Sequence, residues 1–226
     1  MLQEIPLLKE DMTPEHFEIC DRAKEEFLKI IQPVRSVGDL PLVRAVHSQA
    51  DIYSKKWLDY NEVACGSGCA TCCHQLVPCI TIEMENIVAY ITTLPRKPRR
   101  LLLNRVKKKA LKFHKQTEQL FASNNNMDAV KKKIEKDNFG NPCPYLNKRK
   151  KCSIYPVRPM ICRAARSKIK CGQGIEPEPV RIVSDYVALD ILQDEEKRIH
   201  KEMQIVPLTM WPISAEFGEF FLGGSF

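Results

Sequence analysis

From Thr13 onward, Phe17, Cys20, Ala23, Phe27, Ile30 and Ile31 recur at helical spacing, with Thr13 placed to cap and Pro14 suited to the first turn. Pro33 is expected to end this helix, because its ring excludes the preceding carbonyl. A second helix is predicted from Asp39-Leu40-Pro41, burying Val43, Val46, Ala50, Tyr53, Trp57 and Tyr60, with His47 close to that stripe as a packed or surface residue rather than a ligand. Thr81 is positioned to cap a third helix with Met84, Ile87, Val88 and Ile91 on one face, Glu83 and Glu85 in its first turn and Leu94-Pro95 at its close. Leu102, Val106, Ala110, Phe113 and Leu120 mark a long fourth helix ending at the polar run Ser123 to Asn126, and a short basic helix with Val130 and Ile134 follows.

The pattern then breaks. Residues 139–174 hold Pro142, Pro144, Pro156 and Pro159, with Gly140, Gly172 and Gly174, so an extended regular element is not expected there. Val180 to Val183 is long enough for a short strand at most. A last helix is predicted from Tyr186 to Met203, with Leu189, Leu192, Ile199 and Met203 inward, before a tail carrying Phe217, Phe220, Phe221 and Phe226. The expected fold class is mainly α, a single domain over 1–226. It comprises N-terminal helices over 1–62, a cysteine-cluster core with a basic helical insertion over 63–174, and a C-terminal helix and tail over 175–226.

Charge sharpens the picture. The formal net charge of +7 divides unevenly: Arg96 to Lys170 holds 23 Lys and Arg against 4 Asp and Glu, leaving 12 against 24 elsewhere. Such polarity suits an anionic partner or cofactor, although lysine-rich helix faces are commonly just solvated. A zinc-stabilised nucleic-acid-binding module is therefore weighed, but interleaved aromatics and a recognisable reader motif are missing, so nucleic acid is not the expected partner. The first residues lack the basic and apolar regions of a secretory signal, and no apolar run approaches the length that spans a bilayer, so a cytoplasmic protein with no membrane partner is expected.

In a reducing compartment, ten cysteines among 226 residues are thiols available for chemistry. Cys65-Gly66-Ser67-Gly68-Cys69-Ala70-Thr71-Cys72-Cys73 places four within nine positions, a spacing that lets neighbouring thiolates converge on one ion or one face of a cluster. Gly66 and Gly68 permit close backbone approach and leave amide N–H groups free to donate to sulfur. Cys72 and Cys73 are adjacent, so their side chains diverge and do not serve one centre equally. A second group follows: Cys143-Pro144-Tyr145-Leu146, Cys152-Ser153-Ile154-Tyr155, then Arg158-Pro159-Met160-Ile161-Cys162-Arg163, with Cys171 beyond. Ligation would order this irregular stretch, because the binding free energy of a structural metal is also folding free energy. The two groups are expected to be stitched together. Cys20 and Cys79 read as buried small hydrophobes, and His74 as a residue beside the cluster that could complete a site.

The order C-x3-C-x2-C-C, then C-P-Y-L, then C-x-I-Y-x2-R-P-x2-C-R, resembles the YkgJ-like cysteine-cluster proteins, a zinc- or iron-chelating family that also includes flagellin lysine N-methylases. The resemblance runs from Cys65 to Arg163. It implies Cys65, Cys69, Cys72, Cys73, Cys143, Cys152 and Cys162 as metal ligands. Tyr155, Arg158 and Arg163 belong to the motif and would stand near a cofactor, an expectation balanced against Arg158 and Arg163 simply bonding carbonyls of the proline-rich loop. Cys171 lies outside the matched pattern.

Sulfur-only ligation suits both zinc and iron–sulfur clusters. The C-x3-C-x2-C run resembles three corners of a cubane and leans toward a 4Fe-4S cluster, with zinc the alternative. Radical enzymes that use S-adenosylmethionine share that spacing, but Thr71 stands where their aromatic is expected, and the chain lacks alternating strands and helices. The first functional expectation is a metal-binding module with a redox or metal-handling role and an unidentified protein partner. The methylase relatives imply the other, an S-adenosylmethionine-dependent protein lysine N-methyltransferase. No glycine-rich cofactor loop or catalytic base in the chain supports that enzyme independently.

Overall fold

The structure is a computed structural model, and it describes residues 3–6, 8–59, 61, 63–65, 69–123, 126–171, 177–201, 203 and 205–209. The expected placements of Tyr60, Gly66, Gly68, Gly172, Gly174 and the tail phenylalanines Phe217, Phe220, Phe221 and Phe226 lie outside those residues. The fold is mainly α: helices α1 (Pro14–Arg35), α2 (Asp39–Leu58), α3 (Thr81–Thr93), α4 (Arg96–Ser123), α5 (Met127–Asn138), α6 (Met160–Ala164) and α7 (Val183–His200) are joined by very short strands. None of them is long and apolar enough to cross a membrane. The chain divides into two compact units, the first made of 1–69, 80–87 and 156–204, the second of 70–79, 88–155 and 205–226.

In the first unit α1, α2 and α7 pack on one another. Thr13 begins α1 as expected, its side chain accepting from the His16 N–H while the His16 ring returns a bond to the Thr13 N–H, which satisfies orphan donors at both positions. Cys20, Ala23, Phe27 and Ile31 are buried against Leu42, Val43, Val46 and Ala50 of α2 and Val187, Ile191 and Leu192 of α7. The short α6 adds Met160 and Ala164 to the same core.

Several local expectations are corrected. Ile30 is exposed, because the buried stripe passes from Phe27 directly to Ile31, four residues on. Pro33 lies inside α1, which continues to Arg35; a proline so near the end disturbs only the last turn. Thr81 is the first residue of α3 rather than its cap. The carboxylate of Glu196 accepts the N–H groups of Thr81 and Ile82 at 3.1 and 3.0 Å, taking over the cap and adding negative charge at the helix start. Helix α7 starts three residues before Tyr186, where Asp185 accepts the Ile182 N–H at 3.1 Å, and it ends at Lys201, which is left-handed at φ 62°. Met203 therefore lies outside the helix and is exposed. Within 180–183 the predicted short strand is β3 (Arg181–Ile182), which pairs antiparallel with β1 (Glu4–Ile5).

In the second unit α4 buries Leu102, Leu103, Val106, Ala110, Phe113 and Thr117 and packs on α5. Asn126 caps α5 by accepting from the N–H groups of Asp128 and Ala129. Beyond α5, Gly140 adopts φ +85°, a conformation favouring glycine, and its N–H donates to the His74 carbonyl at 2.8 Å. The strands β2 (Pro78–Ile80) and β4 (Ile205–Pro207) form a second small sheet.

Candidate metal centre

The motif cysteines fall in both units. In the second, Cys72, Cys73 and His74 lie on a 3-10 turn, Thr71–His74, whose His74 Nδ1 is 2.8 Å from the Ala70 carbonyl. The Cys143 N–H donates to the Cys73 carbonyl at 2.6 Å, so backbone bonds at Gly140 and Cys143 hold this turn against the approach to C-P-Y-L. Cys143 and Cys152 sit on neighbouring loops: Leu146 bridges Cys152 in antiparallel fashion, and the Ser153 N–H donates to the Tyr145 carbonyl at 2.8 Å. Asn147 closes the intervening turn, its side-chain oxygen accepting from Arg149 and Lys151.

The local sequence explains how Cys143 is presented. Pro144 has no N–H, while the next two amides, of Tyr145 and Leu146, both donate toward the Cys143 sulfur. Burial pushes that thiol up to about 11, opposed by these two N–H groups and by Lys109, with the neighbouring Cys152 adding to the rise. In the metal-free chain burial therefore wins and the thiol keeps its proton. Bound metal reverses the balance, because a coordinated sulfur is deprotonated and the same amides favour its charge.

Two cations of α4 face this corner. The Arg105 guanidinium donates to the carbonyls of Pro144 at 2.8 Å and Tyr145 at 3.4 Å and to the Ser153 hydroxyl at 2.9 Å. Lys109 donates to the Pro142 carbonyl. Burial pulls both cations below their usual range, and the sulfur of Cys143, joined by that of Cys152 at Arg105, acts in the opposite direction. Tyr145 is fully buried within the field of Cys143, Cys79 and Cys152, and burial raises its phenol well above the ordinary value. Its hydroxyl has no hydrogen-bond partner among the described residues. Cys79 is buried in the middle of β2, as expected, and Tyr155 is exposed.

In the first unit Cys65 and Cys69 are exposed, while Cys162, on α6, and Cys171 are half-buried. The Ser167 N–H donates to the Cys65 sulfur at 3.2 Å. Arg163 is buried, donates to the carbonyls of Pro156 and Arg158 and pairs with Asp51, so its guanidinium braces the R-P-x2-C-R loop from within. Cys20 is buried on α1 as expected, and His47 is buried, but as a partner of Glu83.

Among the described residues no group of three or more Cys, His, Asp and Glu side chains is arranged to hold a metal ion. The donor set nevertheless has the chemistry of zinc or iron: soft thiolates, amides directed at sulfur, and cations positioned to offset thiolate charge. Sequence reasoning missed Arg105 and Lys109. Four residues apart, they border the stripe formed by Leu102, Val106 and Phe113, and that position is the one signal in the sequence that sets them apart from the other basic residues of the helix.

No curated protein and no solved structure matches the chain. The first spacing of its motif, three residues between Cys65 and Cys69, is one longer than the two in the CxxCxxCC signature. The rest of the signature, Cys69-x2-Cys72-Cys73, is intact. A family model described as a putative zinc- or iron-chelating domain, CxxCxxCC, matches residues 64–180, just over half of the chain, and the chain belongs to that family.

Proposed function

We propose that the chain is a metal-binding module holding an iron–sulfur cluster, with redox or metal handling as its role. The ligands are drawn from the motif thiols Cys65, Cys69, Cys72, Cys73, Cys143, Cys152 and Cys162. The observation that carries this reading is the environment of Cys143, where two backbone amides and two half-buried cations lie about a sulfur that has no catalytic base beside it among the described residues. N–H groups aimed at sulfur stabilise a ligating thiolate, and nearby cations offset the negative charge of a sulfur-ligated centre. The C-x3-C-x2-C spacing supports a cluster over a zinc knuckle, which favours paired C-x2-C units.

The test is anaerobic purification followed by iron, sulfide and zinc analysis. Brown protein with iron and acid-labile sulfide in equal amounts is the expected result. Colourless protein with stoichiometric zinc would replace the cluster with a zinc site, and protein that retains neither metal after reconstitution would overturn the reading.

A further inference from the structure

We propose that Arg105 is the positioning residue that closes the Cys143 and Cys152 loops onto one metal centre, an inference that rests on the metal-binding reading above. One guanidinium reaches three acceptors: the Pro144 and Tyr145 carbonyls follow Cys143, and the Ser153 hydroxyl follows Cys152. Among the described residues the loops are also tied by the Ser153 to Tyr145 backbone bond, the Leu146 to Cys152 bridge and the bonds between Asn147 and Lys151, all of them made within the loops themselves. A rigid planar fork fixes the relative position of such acceptors, whereas the single ammonium of a lysine cannot span them. Arg105 projects from α4, a regular helix buried through Leu102, Val106 and Ala110, so the clasp is anchored to an element with its own core. Lys109, one turn on, holds the Pro142 carbonyl and adds positive charge without touching the Cys152 loop in any described bond. The pair thus divides the work: Arg105 sets geometry, and Lys109 supplies charge.

The experiment compares the full chain with Arg105→Gln, Arg105→Lys and Lys109→Gln by three measurements. Dibromobimane, which fluoresces when it bridges two thiols, is reacted with the metal-free protein and the Cys143–Cys152 bridge is mapped by peptide mass. Zinc affinity is read by competition with a chromophoric chelator, and the ligand-field bands of the cobalt(II)-loaded protein report coordination geometry. Wild type is expected to form the bridge, and both Arg105 variants to lose it several-fold with altered cobalt bands. Zinc affinity should fall on the order of 10–100-fold in Arg105→Gln, the range for residues that orient ligands. Lys109→Gln should keep the bridge and the cobalt spectrum while losing some affinity. Because Arg105→Lys keeps the charge, a lost bridge with unchanged circular dichroism separates the missing fork from misfolding. Wild-type bridging in both Arg105 variants, no mapped bridge in wild type, or equal effects of Arg105→Gln and Lys109→Gln would overturn the inference. If wild type binds neither zinc nor iron but Arg105→Gln still loses the bridge, the metal reading fails and the clasp stands.

Discussion

His47 and Glu83 form a buried pair, His47 Nε2 lying 3.1 Å from Glu83 Oε1, and the same oxygen accepts the Met160 N–H at 2.6 Å. One carboxylate on α3 therefore joins α2 to the first turn of α6, the helix that carries Cys162 and Arg163. Both side chains are almost fully buried, so the bonds are made away from competing water.

Removing that carboxylate should loosen the R-P-x2-C-R segment more than its small volume suggests. Glu83→Ala leaves the His47 ring and the Met160 N–H without their acceptor, and we expect a loss of about 2–4 kcal/mol in urea unfolding with little change in slope. Glu83→Gln keeps an oxygen for the Met160 amide and should lose about half as much. Equal midpoints for wild type and Glu83→Ala would contradict this role.

Arg166 and Asp185 form a buried ion pair in the first unit, with N–O distances of 2.6 and 2.9 Å, and Arg166 also bonds Ser54 and lies over the Trp57 ring. Truncating one member of such a pair strands the other charge in the interior. Arg166→Met should therefore cost about 3–5 kcal/mol. Arg166→Lys should fall between it and wild type, because a lysine keeps the charge but not the two-point contact. Thermal and urea unfolding of the two variants check the order; Arg166→Lys matching wild type would show that the fork is dispensable.

Much of this was legible in the chain because helices announce themselves locally. The Thr13 cap, the Phe27 and Ile31 contacts, the buried face of α4 and the termination near Ser123 all depend on residues within a few turns of one another. Thr81 misled because its helix is capped by Glu196, a residue more than a hundred positions away that no local pattern points to. The helical pattern allows His47 to be a packed or a surface residue, and the carboxylate partner that decides between them lies on another helix. The cysteine motif was legible as chemistry, yet the cations beside Cys143 come from α4, whose lysine-rich surface is equally consistent with plain solvation.

Cys20 offers a test in pH. Burial, with Asp21 adding to it, pushes its thiol from 9.0 up to about 11. The folded chain thus holds the proton through a range in which the unfolded chain releases it. The contribution is full below pH 9 and is lost as pH rises toward 11, a change of up to about 2–3 kcal/mol. Comparing urea unfolding of metal-free wild type and Cys20→Ala from pH 7 to pH 11 isolates it from lysine titration. The alanine variant should begin about 1 kcal/mol less stable, from lost packing, and the gap should close and reverse above pH 9. A gap that stays constant would mean that the Cys20 thiol titrates alike in both states.

Metal content should divide the ten cysteines into two classes. Cys143→Ser and Cys152→Ser replace a soft sulfur by a hard oxygen on the loops that Arg105 joins, and each should lose most of the bound iron or zinc. Because ligation is coupled to folding, both should also lose the stabilisation that metal gives wild type, so their unfolding midpoints should move toward that of the chelator-treated wild type. Cys20→Ala should keep full metal, since Cys20 is buried within the α1, α2 and α7 core. Chelator treatment should then lower the midpoint of wild type and Cys20→Ala by similar amounts and leave the two serine variants almost unmoved. Metal analysis and thermal unfolding on the same four proteins read both effects. Full metal in both serine variants would remove these loops from the site, whereas metal lost without any fall in midpoint would keep them as ligands and make the centre a passenger on a fold that stands without it.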